Sequence, residues 1–139
     1  MAAFNKFEQF VEDLGNKVHD LVGTDDTLAI YLSDATPSAS ADAVKADLAE
    51  ISTGNGYTGP QDTQNNGSET GGVLTVTGTD IVITATGSVG PFRYVVLFND
   101  TPTSPADPLI GWWDYGSELT LAASETFTID FGASLFTVQ

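Results

Sequence analysis

Asp114 and Glu118 lie four residues apart beside Trp112, Trp113 and Tyr115. Two carboxyl groups next to aromatic rings are the outline of a glycosidase centre. With 19 Asp and Glu in 139 residues, however, such pairs arise from composition alone. Other chemistries are weaker still. A serine triad needs a histidine base, and the single histidine, His19, falls in a segment that reads as helix, on its polar side, where a surface position is expected. No Gly-x-Ser-x-Gly elbow occurs. The chain has no cysteine, hence no thiol nucleophile, thiolate metal site or disulfide framework. The glycine-rich stretches "TGNGYTG" and "GSETGG" lack the Gly-Lys-Ser/Thr ending of a phosphate-binding loop. "GTDDT" and "SPADP" offer oxygen ligands without the twelve-residue calcium-loop pattern. A non-enzymatic protein with no cofactor and no metal is expected.

The aromatic group poses a packing question instead. In "PLIGWWDYG", residues 108–116, Trp112 and Trp113 are adjacent in what reads as a strand, so they point to opposite faces of a sheet. One core cannot hold both. The second ring needs cover from another layer of the same domain, from the N-terminal helix or from another subunit. The loop "NDTPTSPADP" contains three prolines, which stiffen it and remove backbone donors, and this makes it a shaped contact loop. Phe4, Phe7, Trp112, Trp113, Tyr115, Pro102 and Pro105 are therefore the candidate interface residues.

The elements that would position them follow from periodicity. Phe4, Phe7, Val11, Leu14, Val18 and Leu21 alternate steps of three and four, which predicts an amphipathic helix over about 4–22 that docks on a sheet. "TLAIYLS" predicts a strand at 27–33, and Val44, Leu48 and Ile51 predict a short second helix near 40–51. Residues 52–72 are dense in Gly, Asn, Thr and Ser and read as a long mobile loop. From Val73 on, "VLTVT", "DIVITAT", "FRYVVLFN", "LIGWWDY", "SELTL", "ETFTIDF" and "SLFTV" read as short strands separated by turns. The expected fold is mainly β, an antiparallel sandwich or barrel-like domain at 23–139 preceded by the amphipathic helix at 1–22.

Charge narrows the partners. The formal net charge is −15, with only Lys6, Lys17, Lys45 and Arg93 as cations. Nucleic-acid binding depends on cations that displace counterions from phosphates, so direct binding to DNA or RNA is not expected. No stretch approaches the ~20 consecutive apolar residues of a membrane span. Glu8, Glu12, Asp13, Lys17 and Asp20 interrupt the first 22 residues, which therefore lack the apolar centre of a secretion signal, and cytoplasmic synthesis is expected.

Three longer stretches carry a resemblance. "DTLAIYLSDATPSASADAVKADLAEISTGNGYTG", "FRYVVLFNDT" and "PLIGWWDYGSELTLAASETFTIDF" resemble a family of small tailed-bacteriophage virion proteins, with a matching layout from about Phe4 to Phe131. The resemblance implies a capsid decoration, or cement, protein on the outer surface of the capsid, made in the host cytoplasm. It would bridge subunits of the major capsid protein and self-associate, with a trimer favoured. A tail or fibre-associated adhesion protein is the alternative, with glycan binding through Trp112, Trp113 or Tyr115.

Overall fold

The computed structural model describes residues 2–139, and its architecture is mainly antiparallel β. The central sheet has five strands. In chain order these are β1 (Phe4–Lys6), β2 (Leu28–Ser33), β3 (Gln61–Asp62), β7 (Val89–Asn99) and β8 (Leu109–Leu121), and their spatial order is β1-β8-β7-β2-β3. A three-stranded sheet joins β4 (Asn66–Thr70), β5 (Val73–Thr77) and β10 (Phe136–Val138), and a two-stranded ribbon pairs β6 (Ile81–Thr84) with β9 (Thr126–Ile129). One short helix, α1 (Glu8–Gly15), follows β1.

The central sheet is buried on both faces. Leu28, Ile30 and Leu32 of β2, Val95 and Leu97 of β7 and Trp113 of β8 pack on one side with Val76, Ile81, Ile83, Phe127, Ile129 and Phe136 from the smaller sheets. Ala29, Tyr31, Val96, Phe98, Leu109 and Trp112 face the other side, where Phe7 and Leu48 close over them. All six residues of β2 are consequently buried, in keeping with its nearly continuous apolar run from Leu28 to Leu32. The cover on the second face is irregular chain between β2 and β3. It is fastened by the Tyr31 hydroxyl, which donates to the Leu48 carbonyl at 2.9 Å, and by Ser33 Oγ, which donates to the Ala49 carbonyl at 2.6 Å.

Three expected elements are corrected. The helix predicted over 4–22 is confined to Glu8–Gly15. Phe4 lies in β1, because pairing with β8 (Phe4↔Trp113) gives this backbone a ladder that outweighs local helix propensity. Val11, on the predicted apolar stripe, is 53% exposed, while Asp13 is buried. The helix stops where Lys17 takes a left-handed conformation, with φ of 63°. The second helix reduces to one 3₁₀ turn, Lys45–Asp47, held by the Asp47 carboxylate accepting from the N–H groups of Ala43 (2.9 Å) and Val44 (3.1 Å). Finally, 52–72 is not a long loop. It contains β3 and β4, and its Asn65 side chain is built into the sheet end, Oδ1 accepting from Leu28 N at 2.8 Å and Nδ2 donating to the Asp26 carbonyl at 2.9 Å. Asn and Thr here replace ladder bonds that regular strands would make.

Candidate functional site: an aromatic groove at a strand edge

Both tryptophans find cover within their own chain. Trp113 faces the larger core, only 5% exposed, with the rings of Phe4 and Phe131 at 5.4 and 5.6 Å. Trp112 faces the opposite side, half-buried beneath Phe7, whose ring lies 4.6 Å away. Phe7 is placed by its own backbone, since its N–H donates to the Ile110 carbonyl at 3.1 Å and so extends the β1–β8 ladder by one residue before α1 begins. Strict alternation along β8 is reset by an irregularity between the Leu97↔Gly111 and Phe98↔Leu109 pairs, which lets Leu109 and Trp112 share one face.

Beyond Trp113 the strand changes character. The register of β8 on β7 jumps from Tyr94↔Asp114 to Phe92↔Leu119, so the "YGSE" segment between them bulges out of the ladder. Gly116 at the crest has a φ of +101°, a conformation that favours glycine. Arg93 pins the base of the bulge. Its Nε and Nη2 donate to the two carboxylate oxygens of Asp114 at 2.8 and 3.0 Å, and Gly116 N donates to Asp114 Oδ1 at 2.7 Å. The guanidinium first, and then the Gly116 N–H, hold the Asp114 carboxyl below the usual carboxylate range. A carboxyl kept ionised in this way is a poor general acid, and Glu118 is exposed and does not line the groove beside Asp114.

Between this bulge and β9 lies a groove of about 330 Å³. The buried Trp113, Val95, Phe127 and Ile129 form its apolar floor, the exposed Tyr115 stands as one wall, and Ala2, Asp114, Thr128 and Asp130 complete its lining at the rim. Tyr115 is 55% exposed, with its ring edge-on to Phe127 at 5.6 Å. The candidate interface residues are thus dispersed. Tyr115 lines the groove wall, Trp113 its floor, and Phe4 is half-buried behind Trp113. Phe7 and Trp112 belong to the opposite face. Pro102, half-buried, and Pro105, exposed, sit on the separate β7–β8 loop.

Two polar centres escaped sequence reasoning. His19 is not a surface residue. It is 9% exposed, and its Nδ1 lies 3.0 Å from Asn99 Nδ2, which also donates to Asp26 Oδ2 at 2.7 Å. Since Thr101 N donates to Asn99 Oδ1 at 3.1 Å, the amide presents its NH₂ to the imidazole, so Nδ1 accepts and the ring is neutral. Burial lowers the His19 pKa against the opposing pull of Asp13 and Asp26. The second centre joins Tyr57 and Glu50. The Tyr57 hydroxyl accepts from Leu32 N at 3.1 Å and donates to Glu50 Oε2 at 2.6 Å, and burial pushes its pKa upward. "TGNGYTG" carried a signal for the latter, since Tyr57 is the one large side chain in a polar stretch.

Among the described residues, no three His, Asp or Glu side chains converge to hold a metal ion, and no helix is long and apolar enough to cross a membrane. No protein-family model, curated protein or solved structure matches this chain.

Proposed function

We propose that this chain is a non-enzymatic virion protein of a tailed bacteriophage, a β-sandwich-type domain that binds the outer surface of the capsid and stabilises the shell by bridging major capsid subunits. The observation that carries this reading is the groove beside Tyr115. It is an exposed apolar recess whose Asp114 carboxylate is held ionised by Arg93, which suits adhesion better than turnover. Net charge of −15 supports an outer position, because inside a head the protein would face packaged DNA of the same sign. The stretches that resemble phage virion proteins supply the setting. In that setting the protein acts by adding contacts across capsomer junctions, and the gain in shell stability rises with occupancy. The trimer expected at three-fold positions is then organised by the capsid lattice.

Quantitative mass spectrometry of purified virions and tail-free heads tests the proposal. A copy number comparable to that of the major capsid protein, retained in tail-free heads, is the expected result. A few copies lost with the tails would replace it with the tail or fibre-associated reading. Absence from the virion would overturn both.

A further inference from the structure

We infer that the groove between β8 and β9 receives an extended basic polypeptide segment that seats a bulky apolar side chain against Trp113 and Tyr115. This rests on the reading that the chain works by adhesion, and it names the chemistry of the partner. Main-chain geometry provides the first support. β9 is paired with β6 on one side alone, so among the described residues its other strand edge borders the groove without a strand partner, while the β1–β8 ladder ends at Phe4↔Trp113 and Ala2 lines the groove beside it. Such edges present donors and acceptors to an incoming extended chain. The floor provides the second support. Val95, Phe127, Ile129 and the Trp113 ring are apolar, and 330 Å³ lies at the small end of the roughly 300–1,000 Å³ of ligand pockets, room for a side chain rather than a domain.

Charge identifies the occupant. Asp114 and Asp130 form the rim, and Glu118 and Glu125 are exposed on the same stretch of chain. Arg93 is already engaged by Asp114, and Lys45 by Glu50. The Arg93–Asp114 pair is neutral, so the negative field at the groove comes from Asp130 and from the net charge of −15 on the chain as a whole, and lysine or arginine flanking the apolar side chain would complement it. A second copy of this chain would bring like charge to the same rim. A sugar would find an apolar floor, with the Asp114 carboxylate held by Arg93 and Asp130 Oδ1 accepting from Gly132 N at 2.8 Å.

The test uses the peptide acetyl-Lys-Val-Lys-Leu-Lys-Val-Lys-amide, with two controls that replace Val and Leu by Gly or Lys by Glu. Binding is measured by calorimetry and, in a Trp112→Phe background, by Trp113 emission. The expected result is saturable binding with a shift in Trp113 emission, at least about tenfold weaker for each control peptide. Tyr115→Ala should weaken binding about tenfold. Thr128→Lys, an exposed change on the groove wall, should weaken it by a similar factor through like-charge repulsion. Equal affinity for the Gly control, an unchanged Trp113 emission, indifference to both substitutions, or no binding would each overturn the inference. Virion copy number separates the two proposals. Groove binding by a chain missing from virions leaves the inference standing and removes the capsid setting, and a virion-bound chain indifferent to the peptide does the reverse.

Discussion

At the scale of single residues, Tyr57 shows how a side chain can stand in for a missing strand. β3 pairs with β2 only at Ala29 and Ile30, and two residues further on the Leu32 N–H would be buried without a ladder partner. The Tyr57 hydroxyl takes that place. Tyr57→Phe should therefore lower the unfolding free energy by about 1–3 kcal/mol in urea denaturation, since the buried Leu32 N–H loses its acceptor and Glu50 Oε2 loses a donor. His19 makes a pH-dependent contribution of definite sign. Its folded pKa is lowered, so folding favours the neutral ring, and protonation would set a second donor against the Asn99 NH₂. This contribution is complete above the ordinary histidine range, near pH 6.5, and declines as pH falls through it towards the lowered folded value. Thermal unfolding from pH 8 to 5 should show a falling midpoint in the native chain and a flatter profile in His19→Gln, the Asp13 and Asp26 carboxylates facing His19 being common to both. A steeper fall in the variant would contradict the assignment.

At the scale of elements, the decisive contacts are close backbone approaches. β4 is fastened to the chain before β2 by reciprocal bonds between Gly23 and Gly67, 2.7 Å and 3.0 Å, and a Cβ on Gly67 would collide with the Leu21 carbonyl oxygen. Gly67→Ala should cost about 3 kcal/mol by forcing the two segments apart, whereas Gly15→Ala, with open space at the helix end, should add up to about 1 kcal/mol. Chemical denaturation of the two variants provides opposite signs in one experiment. These approaches also mark what periodicity can and cannot disclose. The opposed faces of Trp112 and Trp113 were legible because a pleated strand alternates wherever it is regular. The antiparallel, mainly β character and the strand around Leu28–Ser33 were legible for the same reason. Phe4 and Phe7 were misread as part of a helical stripe because a spacing of three also places strand residues on alternate faces. Phe4 and Phe7 serve opposite sides of the sheet, whereas Phe10 belongs to α1. β4 went unseen because its residues, "NGSET", carry no apolar pattern, and its place in the fold comes from the ladder to β5 and the Gly67 contact. The groove was half legible. Tyr115 and its neighbours were singled out, but the bulge that exposes Tyr115 depends on Arg93 reaching across to Asp114, a pairing that only the register of β7 and β8 creates.

At the scale of the whole molecule, the internal cover of both tryptophans and the charge act together on assembly. A fold that had left Trp112 bare would need a neighbouring copy to bury it, and oligomerisation would then be part of folding. Here Phe7 performs that cover. What remains is a formal net charge of −15 on the chain as a whole, which repels other copies over roughly a Debye length, about 10 Å at 0.1 M salt. The isolated chain should therefore sediment as a monomer at low ionic strength. Its thermal midpoint should rise as salt screens repulsion within each molecule, with the increase concentrated below about 0.2 M. If it trims a capsid as a trimer, the energy that gathers the copies must come from the shell, and the trimer should appear only in the presence of capsids or their assembled subunits. Sedimentation velocity of the free chain at low and high salt distinguishes the two origins. A trimer that persists at low salt without capsid would mean that a strong self-contact overcomes the repulsion. The Tyr115 groove and the Pro102–Pro105 loop, the exposed features identified from the sequence, would then be the first surfaces in which to seek it by substitution.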